Sequence, residues 1–130
     1  MCNSHQKLVL ATMKAINRLL AACRYSWHGL RTTYRTEAAF RQEVYLAVVL
    51  IPLACWLEVS NAERALLIFT VLLLPIVELL NTAIEAVVDL LSPEQHPLAK
   101  TAKDAGSAAV GLALVAMVAV WLVILLPKWL

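Results

Sequence analysis

Three carboxylic acids interrupt a run that is otherwise apolar enough to cross a membrane. Between Leu72 and Asp89, Leu, Val, Ile and Ala surround Glu78, Glu85 and Asp89. In hydrocarbon an ionised carboxylate survives only when paired, metal-bound or turned to water. A helix turns about 100° per residue, so Glu78, Asn81, Glu85 and Asp89 share one narrow face and the opposite face is apolar. A chain keeps so expensive a stripe only for a purpose. The default reading is a functional site near the membrane surface.

The rest of the chain fits such a fold. Its 130 residues allow one domain at most. A hydrophobic fraction of 62% and a mean hydropathy of +0.75 exceed what a soluble domain of this size can cover with polar surface. An all-α membrane protein is the expected class. Cys2, Cys23 and Cys55 are too scattered for a disulfide framework or a zinc site, and Cys55 reads as a buried small hydrophobe. No signal peptide is expected, because the first residues lead into an amphipathic stretch.

From about 7 to 34, Val9, Met13, Ile16, Leu20, Cys23, Trp27, Leu30 and Tyr34 recur at alternating spacings of four and three. Cations lie off that line, as expected for a helix resting in the membrane interface. Gly29 is a place where it could bend. Three membrane helices follow, at about 37–57, 61–91 and 98–129. Pro52 sits in the first, and Pro75 lies about one turn before Glu78 in the second. Small residues in the third (Gly106, Ser107, Ala108, Ala109, Gly111, Ala113, Ala116) would permit close helix contact.

Seven of the eleven Lys and Arg residues precede the first apolar run, which places the N-terminus in the cytoplasm and, after three crossings, the C-terminus outside. Trp56, Trp121 and Trp129 then lie toward the outer interface. Glu37, Glu78, Glu85, Asp89, Glu94, Lys103 and Asp104 lie toward the cytoplasmic side.

Carboxylates with a lysine can hold a divalent cation and, through it, phosphates. Mg²⁺ takes one or two carboxylates and leaves its other positions to water and phosphate oxygens. Glu85 and Glu37 are candidate ligands, and Lys103 can neutralise a polyphosphate. Glu78 lies about 10 Å deeper than Glu85 along the helix, placed for a lipid hydroxyl as a general base. By residue type alone, Glu37 could equally be a helix-dipole partner and Asn81 an interhelical hydrogen-bonding group. Signatures of soluble kinases (the phosphate-binding loop, the glycine-rich loop, HRD and DFG) are absent. No nucleic-acid partner is expected.

Several segments carry a closer likeness: Tyr25-Ser26-Trp27-x-Gly29-Leu30, Glu37-Ala38-Ala39-Phe40-Arg41-Gln42-Glu43, Ala54-Cys55-Trp56-Leu57, Glu78-x-Leu80-Asn81-x-Ala83-Ile84-Glu85 and Lys103-Asp104-x-Gly106-Ser107-Ala108-Ala109. In order and spacing they resemble the bacterial integral-membrane diacylglycerol kinase family, which also holds undecaprenol kinases. The resemblance implies a homotrimer of the inner membrane with three transmembrane helices and a surface helix per chain. Its active sites are shared between subunits and transfer the γ-phosphoryl group of Mg·ATP to diacylglycerol. It implies Glu78 as catalytic base, Asn81 on the catalytic face, and Glu37 and Glu85 as metal ligands. Nucleotide contacts are implied at Arg18, Tyr25, Glu37, Glu85, Glu94, His96, Lys103 and Asp104. Lipid-path positions are implied at Arg18, Trp27, Arg31, Arg41, Gln42, Glu43, Trp56, Arg64, Glu78 and Ser107. Extra prolines at Pro93 and Pro97 depart from the family pattern and stiffen the nucleotide loop, which leaves the contact of Gln95 open.

Two other classes compete. A small proton-coupled transporter also carries a membrane-embedded glutamate, but needs only one acid per protomer and holds it near the midplane. A purely structural membrane subunit would tolerate loss of both Glu78 and Glu85.

Overall fold

A computed structural model of the chain describes residues 4–92 and 96–130, apart from the side chains at positions 4, 5 and 129. Four helices account for almost all of it: α1 (Ser4–Thr36), α2 (Ala38–Trp56), α3 (Asn61–Leu91) and α4 (Pro97–Trp129). They form two compact units, residues 1–36 and residues 37–130.

The first unit is α1 alone. It continues through Gly29 without a break, where a Cβ would meet only open space. Arg35 in its last turn complements the negative end of the helix dipole. The apolar stripe is uncovered: Val9, Met13, Ile16, Leu20, Trp27 and Leu30 are all exposed.

In the second unit α3 packs against both α2 and α4. Val71 and Leu74 of α3 meet Ala113 and Met117 of α4, with Leu46, Ala47 and Leu50 of α2 closing over them. A second cluster joins Ala54, Leu67 and Ile124. Two sequence expectations change here. Cys55 is exposed, and its neighbour Ala54 takes the inward position, with no exposure at all, in the cluster with Leu67 and Ile124. Of the small residues in α4, Gly106 and Ala113 face inward while Ser107, Ala108, Ala109, Gly111 and Ala116 are exposed. The close approach therefore follows a seven-residue repeat, which keeps one face of α4 on α3.

Local chemistry sets the helix ends. α3 starts with a capping box: Ser60 Oγ accepts from the Glu63 N–H at 3.3 Å, and the Ser60 N–H donates to Glu63 Oε2 at 2.7 Å. Arg64 then reaches back to the end of α2, donating from Nε to the Ala54 carbonyl at 3.2 Å and from a terminal nitrogen to the Leu57 carbonyl at 3.1 Å. These are carbonyls that a helix end leaves without intrahelical donors. Lys128 Nζ ties α4 to the same corner through Glu63 Oε2 at 3.3 Å. α3 continues through Pro75, whose missing N–H deprives the Val71 carbonyl of its usual donor. α4 is capped by His96, whose Nδ1 accepts from the Leu98 N–H at 3.2 Å, with Pro97 in the first turn.

Three helices are long and apolar enough to cross a membrane: Ala38–Trp56, Asn61–Leu91 and Pro97–Lys128. At about 1.5 Å per residue even the shortest spans a ~30 Å hydrocarbon layer. The chain is thus built as a multi-pass membrane protein, with the ends of α2, α3 and α4 alternating between two polar levels.

Candidate active site

One of those levels gathers the start of α2, the end of α3 and the start of α4. Glu78 and Asn81 are buried, with 6% and 9% exposure, while Glu85 is half-buried and Asp89 exposed. The stripe thus grades from the apolar interior toward water along α3. Asn81 Nδ2 donates to Glu85 Oε1 at 3.1 Å, an i,i+4 bond along the helix that occupies one carboxylate oxygen. Asn81 Oδ1 has no hydrogen-bonding partner.

From α2 come Glu37 and Glu43. Glu37 is the N-cap of α2 in extended conformation, and its side chain makes no capping hydrogen bond. No capping hydrogen bond occupies the carboxylate, which still stands at the positive end of the α2 dipole. Glu43 is half-buried, and its Oε2 is buried without a hydrogen-bonding partner.

Charge links these groups. Glu37 and Glu85 both bear electrostatically on Glu78, and Glu78 bears on Glu43. Four carboxylates from two helices therefore share one neighbourhood, where mutual repulsion is resolved by protons, water or a cation. Glu85 also acts on Lys103 of α4. Lys103 Nζ pairs with Asp89 Oδ1 at 2.6 Å, whereas its sequence neighbour Asp104 pairs with Lys100 at 2.5 Å on an exposed surface. The Lys103-Asp104 dipeptide is thus split between two partners, and the cation is steered toward α3.

The donor set is made of hard oxygens, which suits Mg²⁺ better than softer metals. Among the described residues no three His, Cys, Asp or Glu side chains close around one point. Mg²⁺ asks for only one or two protein carboxylates and takes water and phosphate oxygens otherwise. Glu85, with one oxygen fixed by Asn81 and the other available, and Glu37, free of capping duty, fit that demand.

The other positions named from the sequence are spread over the four helices and the ends between them. Arg18, Tyr25, Trp27 and Arg31 are exposed on α1, and the Arg24 guanidinium lies 5.6 Å from the centre of the Tyr25 ring. Arg41 is half-buried near the start of α2, and Gln42, His96 and Ser107 are exposed. Trp56 and Arg64 are at the opposite polar level, Arg64 about 21 Å from Glu78 along α3. Glu94 and Gln95 lie outside the described residues, as does the side chain of Trp129.

Two features escaped the sequence reading. The capping box was signalled by Ser60-Asn61-Ala62-Glu63, the usual Ser-x-x-Glu pattern. The Asp89–Lys103 pair had no local signal, since it depends on the register of α3 against α4.

Comparison with known proteins yields one consistent family. A family model described as prokaryotic diacylglycerol kinase matches residues 24–125. The chain is 56% identical over 111 residues to a diacylglycerol kinase of Pseudomonas aeruginosa, covering 85% of this chain and 90% of that protein. It is 49% identical over 108 residues to a diacylglycerol kinase of Escherichia coli, covering 83% and 88%. Against one from Helicobacter pylori the identity is 44% over 108 residues, covering 83% and 84%.

Proposed function

The chain belongs to the prokaryotic diacylglycerol kinase family, and from that premise we propose that it transfers the γ-phosphoryl group of ATP to the hydroxyl of diacylglycerol, giving phosphatidic acid and ADP. The observation that carries this reading to the residue level is a buried Glu78 within electrostatic reach of Glu37 and Glu85. Phosphoryl transfer asks for positioning and charge neutralisation more than for covalent chemistry, and this cluster offers both beside an apolar surface from which a lipid can approach.

Glu78 takes the proton of the lipid hydroxyl as its oxygen attacks the γ-phosphorus and the bond to the β,γ-bridging oxygen breaks. Glu37 and Glu85 would hold Mg²⁺, which would neutralise the phosphate oxygens. Asn81 keeps Glu85 oriented, and Lys103 faces the polyphosphate. Arg18, Tyr25, Glu94, His96 and Asp104 contribute to the nucleotide side. Trp27, Arg31, Arg41, Gln42, Glu43 and Ser107 line the lipid approach, with Trp56 and Arg64 at its far end. The uncovered apolar stripe of α1 suits a helix resting in the interface. The active assembly is a homotrimer in the inner membrane, with sites shared between subunits. Its acidic level faces the cytoplasm and its C-terminus the periplasm.

The deciding assay follows radiolabelled phosphate from ATP into lipid in mixed micelles, offering diacylglycerol and undecaprenol separately, with and without Mg²⁺. Label in phosphatidic acid that requires Mg²⁺ is the expected result. A preference for undecaprenol would move the protein to the polyprenol branch of the fold. Proton-driven flux in ATP-free liposomes, without lipid phosphorylation, would replace the kinase with a transporter.

A further inference from the structure

A glycine inside a long helix weakens it and calls for a packing reason. α4 contains two, and they differ. Gly111 faces open space, whereas a Cβ built on Gly106 would fall directly on Asn81 Oδ1, with Asn81 Cγ next at 3.3 Å. Gly106 is buried, so the absence of its side chain is what admits the Asn81 amide against the α4 backbone.

The contact also decides which way that amide points. Asn81 Oδ1 finds no hydrogen-bond donor and lies toward the α-hydrogen that a side chain at Gly106 would replace, a weak but recurrent kind of polar contact. Asn81 Nδ2 is thereby turned to Glu85 Oε1 at 3.1 Å. Reversing the amide would set an oxygen against the Glu85 carboxylate and leave two N–H groups facing α4. Filling the space at Gly106 would move the whole side chain.

We propose that Gly106 is a positioning residue: by leaving room for the Asn81 amide oxygen on α4, it holds the Asn81 amide nitrogen on Glu85 and so fixes the carboxylate that receives Mg²⁺. The role rests on the kinase reading of Glu85. It acts through Asn81, without contact between Gly106 and substrate.

Four variants test it: Gly106→Ala, Asn81→Ala, the double variant, and Gly111→Ala as a control on the same helix. Two quantities are read, the thermal unfolding midpoint in detergent and the Mg²⁺ concentration that half-saturates diacylglycerol phosphorylation. Gly111→Ala should match the wild type in Mg²⁺ requirement and lose no thermal stability. Gly106→Ala should lower the midpoint and raise the Mg²⁺ requirement by roughly 10- to 100-fold, the usual effect of losing an outer-shell partner. Asn81→Ala should raise the requirement similarly, and in its background Gly106→Ala should no longer lower the midpoint, because the clashing atom is gone. If Gly106→Ala alone does not fold, recovery of folding in the double variant supports the contact, and failure to recover overturns it. An equal thermal loss in both backgrounds, or a normal Mg²⁺ requirement in Gly106→Ala, overturns the proposal and leaves the kinase reading intact. A wild-type protein that phosphorylates no diacylglycerol overturns the kinase reading and takes this inference with it.

Discussion

At the scale of single residues, burial and repulsion separate the two central glutamates. Glu78 is buried beside three other carboxylates, so Glu78→Gln removes a charge that the fold tolerates with difficulty. The variant should fold at least as well as the wild type and still bind nucleotide, yet lose roughly 10²–10⁴-fold in kcat, the usual contribution of a positioned base. Unfolding midpoints, nucleotide binding and turnover in mixed micelles check all three. Glu85→Gln should behave differently. Its carboxylate is half-buried and oriented by Asn81, so the loss should fall on Mg·ATP, as a rise in KM for the nucleotide of roughly tenfold or more. Normal turnover in both variants would remove the site from this face of α3. The stripe itself was legible from helical periodicity, because Glu78, Asn81 and Glu85 belong to one element. The approach of Glu43 from α2 was not, since two helices must be in register before that carboxylate meets Glu78.

At the scale of elements, the corner joining α2, α3 and α4 is held by caps, and Arg64 is its centre. Its guanidinium spans the Ala54 and Leu57 carbonyls, a fork that lysine cannot reproduce. Arg64→Ala should therefore destabilise the fold by about 1.5–3 kcal/mol, the range for hydrogen bonds involving a charged group. Arg64→Lys should recover only part of it. Ser60→Ala should lose about 1 kcal/mol through the capping box. Denaturation in detergent measures each loss. Turnover per folded protein should stay near the wild-type value in the Ser60 variant, whose contacts lie wholly at this corner. A fall in lipid affinity beyond the lost stability in Arg64→Ala would assign Arg64 to the lipid approach as well. The three apolar helices were readable from composition and period. The Ser60–Glu63 box was readable too, but Arg64 reaching Ala54 across ten positions belongs to tertiary structure and leaves no local pattern.

At the scale of the whole molecule, the second unit carries its charges at two levels and little between. Glu37, Asp89, Lys103 and Asp104 mark one level, and Glu58, Glu63, Arg64 and Lys128 the other, with membrane-long apolar helices joining them. At most 28% of any apolar window is buried within the chain, so most of that surface needs lipid or neighbouring subunits around it. The proposed orientation rests on the basic residues that precede Glu37 in the sequence, since positive segments are retained in the cytoplasm. On the proposed orientation, ATP is available on the side where Glu85 and Lys103 stand. Single cysteines placed in a background without Cys2, Cys23 and Cys55 test this arrangement. A cysteine replacing Glu58, an exposed loop residue, should react with a membrane-impermeant maleimide in intact spheroplasts. A cysteine replacing Lys100, exposed at the acidic level, should react only after lysis. The reverse pattern would put the carboxylates across the membrane from cytoplasmic ATP. No rearrangement of side chains could then make Glu78 the base of an ATP-dependent kinase.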